Sequence, residues 1–237
     1  MPPIILMNDP AVAGVPVQDC GEPLVDLREL AFVVVDSRQA DPQGSYALIR
    51  EGVAWRLARA ARLLPDGLRL LVTEGYRPLP LQISYFEAYA AELRRANPDW
   101  SEEHLRTQTS RSLSPPEIGP HVAGAAVDLT LCTASGEELD LGTPVDASPE
   151  ESAGACYTDA PDISDEARRN RRFLSAALAT AGLVNYPTEW WHWSYGDRYW
   201  ALMTGAAKAC YGPVDGARDL PAGAFQPRPG PPSPSGV

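Results

Sequence analysis

The sequence predicts an α+β fold in a single domain, with a small antiparallel sheet and helices packed around it. Three observations lead there. Apolar residues recur at helical spacing in some segments and form short aliphatic runs in others. The two kinds of segment are mixed without a regular βαβ rhythm, which argues against a doubly wound parallel sheet. The chain of 237 residues, 44% of them hydrophobic, is long enough for one core and cramped for two.

Residues 1–45 read as an N-terminal extension and strand region of the same domain, and 46–212 as its core. Ile49, Val53, Leu57, Ala60 and Leu64 recur at helical spacing and predict a helix with one buried face, which Pro65-Asp66-Gly67 breaks. Leu68 to Thr73 is short, aliphatic and bounded by turn residues, as a buried strand is. A turn, Gly75-Tyr76-Arg77-Pro78, follows. Ile83, Phe86, Ala90 and Leu93 mark the next helix, ending near Asn97-Pro98, and a polar helix is expected from about Ser101 to Arg111. Pro115-Pro116 and Gly119-Pro120 force an irregular loop before His121.

From Ala125 to Leu131 the pattern is that of a strand. Val127, Leu129 and Leu131 face one way, and Ala126, Asp128 and Thr130 the other. Ser164 is a natural N-cap, with Asp165 and Glu166 in the first turn of a helix that carries Phe173, Leu174, Ala177, Leu178 and Ala181 and stops at Gly182. A last strand is expected over Trp190–Ser194. Residues 213–237, dense in proline and without an apolar period, read as a disordered or extended tail.

Composition narrows the function classes. A formal charge of −11 leaves no basic footprint for nucleic acid. No apolar run approaches a membrane span, and the N-terminus lacks the basic region and apolar stretch of a secretory signal, so a cytoplasmic location is expected. Cys20, Cys132, Cys156 and Cys210 form no CxxC pair, so they are expected as buried small residues or free thiols. The sequence is compatible with a homo-oligomer.

Two of the three histidines lie in segments dense with reactive groups. His121 sits on a loop seven residues before Asp128, among Gly124, Ala125 and Ala126, small residues that permit close backbone approach. A carboxylate facing a core needs a partner or a metal. The alternative is that Asp128 faces solvent and His121 is an ordinary loop residue. The second segment is Glu189-Trp190-Trp191-His192-Trp193. On a regular strand Glu189 and His192 would point to opposite faces, so joint action requires Glu189 at the start of the strand or on a bulge. The alternative is an aromatic core with an incidental histidine.

Together, two histidines and one carboxylate leave the fourth position of tetrahedral zinc open, as hydrolysis requires. Glu189 could then deprotonate a water, and Arg77, on a turn after a buried strand, could stabilise an oxyanion. A surface salt bridge is the alternative for Arg77.

At these residues the chain resembles the D-Ala-D-Ala dipeptidases of the vancomycin-resistance type, within the wider metallopeptidase group of D,D-carboxypeptidases and hedgehog-like domains. That group's pattern, Ser-x-His-x-x-Gly-x-Ala-x-Asp followed later by Glu-x-x-His, stands here as Gly119-x-His121-x-x-Gly124-x-Ala126-x-Asp128 and Glu189-Trp190-Trp191-His192. Glu74 to Pro78, Asp128 to Leu131, Leu139 to Asp146 and Asn170-Arg171-Arg172 match the dipeptidase branch as well, so the likeness runs roughly from Tyr46 to Tyr199.

The resemblance implies one Zn2+ per chain, held on the sheet by His121, Asp128 and His192. It implies Glu189 as general base and then proton donor, and Arg77 on the tetrahedral intermediate. Asp146 would bind the ammonium of a small D,D-dipeptide, though a plain turn residue is the alternative there. Gly119 and Tyr76 would also contact substrate. Gly119 stands where the family has serine, which removes a hydroxyl near the substrate, and the stretch from Ala147 to Asp162 reads as an insertion that reshapes the pocket. Two rival functions remain at this level. One is a peptidase of the same group acting on muropeptides or a secondary-metabolite peptide. The other is a non-catalytic zinc-binding module.

Overall fold

The computed structural model describes residues 4–214, so the proline-rich tail expected over 213–237 lies almost wholly outside the described residues. The chain opens with a short helix α1 (Pro10–Ala13), then strands β1 (Leu24–Asp26), β2 (Val33–Val35) and β3 (Leu48–Arg50). Helix α2 (Glu51–Ala61) leads into the long strand β4 (Leu68–Glu74), followed by helices α3 (Leu79–Ala96) and α4 (Glu102–Ser112). Strand β5 (Ala126–Thr133), helix α5 (Asp165–Ala181), strands β6 (Val184–Asn185) and β7 (His192–Ser194) and helix α6 (Arg198–Thr204) complete it.

The main sheet has five strands in the order β2-β4-β5-β7-β6. It is antiparallel except at its edge, where β2 runs parallel to β4. A two-stranded antiparallel ribbon, β1 with β3, stands beside it. The fold is thus α+β, with a small, mainly antiparallel sheet, as the sequence predicts. Val127, Leu129 and Leu131 all enter the core, together with Leu70 and Val72 of β4, and are covered by α2 and α5. From α2 come Val53, Ala54, Leu57 and Ala60, and from α5 Leu174, Ala177, Leu178 and Ala181. Burial of these aliphatic faces is the main driving force of the fold, at about 25 cal/mol per Å² of apolar surface.

Local signals set the ends of the elements. Ser164 caps α5 by accepting from the Ala167 N–H, and Gly182 ends that helix in the left-handed region at φ 95°. Ser101 caps α4 in the same way. Two expectations need correction. Ile49 belongs to β3, not to the helix, because the neighbouring Arg50 N–H donates to Gly124 O and extends the backbone to the end of the ribbon. Ile83 is exposed, because α3 packs against α4 and buries only Gln82 and Phe86. The cysteines carry free thiols, with Cys132 and Cys156 buried and Cys20 exposed. Among the described residues no helix is long and apolar enough to cross a membrane.

The turn after β4 is locked to the ribbon. Gly75 N–H donates to Tyr46 O and Tyr76 N–H to Leu48 O, both at 2.6 Å. A Cβ at residue 75 would lie 2.3 Å from Leu48 O, so only glycine lets the strands approach this closely. Exchanging Gly75→Ala is expected to destabilise the fold by about 2 kcal/mol, as overpacking against rigid backbone does. Urea denaturation of the metal-free protein measures this, and an unchanged midpoint would show that the turn can yield.

Candidate metal centre and active site

Register places the key side chains in a row across the sheet. Glu74 of β4 pairs with Asp128 of β5, and Asp128 pairs with His192 of β7. A bulge between Val72 and Glu74 resets β4 at this point. Side chains on facing residues of adjacent strands lie within contact distance, so three strands bring Glu74, Asp128 and His192 together. His121 joins from the 3-10 turn His121–Ala123, which Gly124 ends at φ 62°. Arg50 Nε–H donates to Ala123 O at 3.0 Å and fixes that turn from behind.

His121 Nδ1 lies 2.7 Å from Gly75 O. A carbonyl only accepts, so Nδ1 carries the proton and the Nε2 lone pair faces the centre. His121 Nε2 is 3.3 Å from Asp128 Oδ2 and 3.2 Å from His192 Nδ1. His192 Nδ1 is 2.9 Å from Asp128 Oδ1. All three residues are buried, and their candidate ligand atoms lie within 4.8 Å of one another. His192 Nε2 is buried without a hydrogen-bond partner, so Nδ1 is the nitrogen that the site engages. Two imidazole nitrogens and one carboxylate converging on one point are the donor set that zinc takes. The residues fit that metal.

Burial alone would raise the Asp128 carboxyl, but His121 and His192 outweigh it and hold it far below the ordinary carboxylate range. His121 moves the other way. Burial would lower it, and the Asp128 charge raises it above the usual imidazole value.

Glu189 is neither on a strand nor on a helix. Its N–H donates to Tyr186 O at 2.9 Å, and the His192 N–H donates back to Glu189 O at 3.2 Å, so residues 189–192 form a tight turn into β7. The turn puts glutamate and histidine on one side, with Glu189 Oε2 3.8 Å from His192 Nδ1. Trp190 and Trp191 therefore precede β7 and do not belong to it, contrary to the strand expected from residue 190. Burial pushes the Glu189 carboxyl up to about 7, helped by the negative charges of Asp128 and Asp146 and opposed by His192.

Arg77 follows the Gly75 turn, and its N–H donates to His121 O at 3.2 Å. Its guanidinium forms a two-pronged ion pair with Glu74, with Nε donating to Oε1 at 2.8 Å and Nη2 to Oε2. Nη1 donates to Gln82 Oε1 at 2.8 Å. Burial works against the charge, but Glu74 overrides it and raises the pKa, so Arg77 stays cationic. Of the five N–H groups of a guanidinium, these bonds leave some for a ligand.

A cavity of about 290 Å³ opens over the cluster, at the small end for ligand sites. Arg77, Asp146 and Glu189 line it with the His-Asp-His cluster, as do Ala147, Ser148 and Pro149. Asp146 sits at a left-handed position, φ 67°, and its Oδ2 accepts from Gln39 Nε2 at 2.5 Å. The surrounding protein and the charges of Asp128 and Glu74 push its pKa up to about 6, although the residue remains reachable from solvent. The loop carrying it is tied down by Arg171, whose guanidinium donates to the carbonyls of Leu141, Ala155 and Tyr157.

Two residues expected at the substrate lie elsewhere. Tyr76 is buried among Leu24, Leu48 and Val214, where its ring serves packing, and does not line the cavity. Gly119 is likewise not in the lining, and a Cβ there would meet Val122, Pro115 and Ser114. Sequence reasoning missed Gln39, Gln82, Met7 and Tyr186. Only Gln82, five residues after Arg77, carried a positional hint.

Residues 26–205 match the family described as D-ala-D-ala dipeptidase (Peptidase_M15). A D-alanyl-D-alanine dipeptidase of Synechocystis sp. is 32% identical over 219 residues, covering 79% of this chain and 87% of the relative. One from Escherichia coli is 29% identical over 167 residues, covering 69% and 76%. A fainter likeness, at 18% identity and TM-score 0.41 over 70% of this chain and 81% of the other, is to a solved structure of VanYB in complex with D-Alanine-D-Alanine. By the family match over most of its length, and by relatives that align along most of theirs, the chain belongs to the D-ala-D-ala dipeptidase family of peptidases.

Proposed function

We propose that this peptidase hydrolyses D-Ala-D-Ala or a closely related D,D-dipeptide with one zinc ion held by His121 Nε2, His192 Nδ1 and Asp128. Zinc in such a site supplies Lewis acidity to a scissile carbonyl and lowers the pKa of a water. The remaining chemistry belongs to side chains of the chain itself.

Glu189 takes a proton from the attacking water and then delivers it to the departing amine. A carboxyl that titrates near neutrality is suited to both transfers. Arg77, held rigid by Glu74 and Gln82, directs its remaining N–H groups at the charge that grows on the tetrahedral oxygen. Asp146, steadied by Gln39, receives the ammonium of the substrate. The observation that carries this reading is the 189–192 turn, which brings Glu189 beside the histidine of a His-Asp-His cluster inside a cavity of dipeptide size. A zinc-binding module without catalysis would have no need of that arrangement.

Three measurements test it. Exchanging Glu189→Ala is expected to lower kcat for D-Ala-D-Ala about 10³-fold while zinc content stays near one per chain. Near-normal turnover by that variant would disprove the assigned base. Exchanging His192→Ala is expected to abolish stoichiometric zinc in metal analysis, and retained zinc would remove His192 from the ligand set. Finally, the dipeptide should be cut in preference to a pentapeptide ending in D-Ala-D-Ala, because Asp146 selects a free ammonium next to the scissile residue. Preference for the pentapeptide would favour the reading as a muropeptide-directed peptidase.

A further inference from the structure

Gly119 has no side chain, yet a hydroxyl lies beside the position where one would stand. A Cβ built on Gly119 would be 3.7 Å from the Cβ of Ser114, and Ser114 lines the cavity. Its Oγ–H donates to Met7 Sδ at 2.9 Å. A thioether is a weak acceptor, so this donor is held in place without being strongly bound.

The hydroxyl is also fixed relative to Arg77. Buried Gln82 accepts from Arg77 Nη1 through Oε1 and donates through Nε2 to Ser114 O at 2.9 Å. Met7 is held in turn. Its N–H donates to Tyr186 Oη at 3.2 Å, and it packs with Val12, Tyr186 and Tyr199. Met7 precedes the residues that match the family, so the N-terminal extension contributes to this wall of the cavity.

We propose that Ser114 is a substrate-binding residue whose hydroxyl turns from Met7 Sδ to the terminal carboxylate of the dipeptide. The inference rests on the dipeptidase reading above. The acidic lining, Asp146 and Glu189, suits the ammonium end of a zwitterion. The wall of Met7, Leu113, Ser114 and Tyr186 carries no acid, and Gln82 links it to the cation Arg77. A carboxylate is a far better acceptor than a thioether, so the exchange of partners is favourable.

The test compares D-Ala-D-Ala with its C-terminal amide. Exchanging Ser114→Ala is expected to raise KM for the acid about tenfold with a much smaller change in kcat, as loss of a hydrogen bond to a charged group does. The same exchange should change KM for the amide by no more than about twofold, and Ser114→Thr, which keeps a hydroxyl, should restore most of the affinity for the acid. Equal losses on acid and amide, or no loss on either, overturn the proposal. If the wild-type protein turns over no dipeptide, the functional reading fails on its own. Calorimetry of D-Ala-D-Ala on the zinc-loaded protein then decides the role of Ser114. Binding weakened about tenfold by Ser114→Ala supports it, and unchanged binding, or no binding to the wild-type protein, overturns it.

Discussion

The structure depends on one costly residue, the carboxylate of Asp128, which is buried on the central strand of the sheet. An ionised carboxylate taken from water into such a place is untenable without partners. Two imidazoles supply them, one from the neighbouring strand and one from a glycine-ended turn. Much else serves to hold those two rings. The Gly75 carbonyl orients His121, Arg50 braces the turn behind it, and the β5–β7 register aligns His192.

The same economy governs Arg77. A buried guanidinium needs a counter-charge, and Glu74 provides it from the end of the strand that precedes the turn. The short Glu74–Arg77 segment thus does two things at once. Its backbone carbonyl at Gly75 fixes a histidine of the candidate metal set, and its side chains present one restrained cation to the cavity. Because the ion pair is internal to the turn, the cation is positioned without borrowing a carboxylate from the cluster.

Much of this was legible in the sequence, and the exceptions have physical causes. The buried face of β5 and the capped helix α5 were readable because periodicity and caps are local. So was the candidate metal set, because an Asp in an apolar strand and a His among tryptophans are chemically out of place. The geometry of Glu189 was not, since spacing alone could not tell a strand from the 189–192 turn that brings it beside His192. Tyr76 shows the converse error: a residue inside a site motif whose side chain serves packing. Gln39 and Met7 gave no signal at all. Each acts through a contact more than a hundred residues away, and no local pattern encodes such a partner.

The titration behaviour of the site has two sources: burial, which is the larger for Asp146 and Glu189, and a surplus of acidic groups. Glu74 is matched by Arg77, which leaves Asp128, Asp146 and Glu189 facing two histidines that carry charge only when protonated. Side chains alone therefore give the cavity more anionic than cationic groups. The molecule's response is visible in three places: His121 holds its proton more tightly, and Asp146 and Glu189 each resist ionisation. A divalent cation at the cluster and an ammonium at Asp146 are the charges that would relieve this imbalance. The zwitterionic dipeptide proposed above would bring the second of them, together with a carboxylate for which Ser114 is the proposed donor. The surplus of acidic groups is thus what favours the proposed metal at the cluster and the proposed ammonium at Asp146, and it begins with one carboxylate placed in the middle of a sheet.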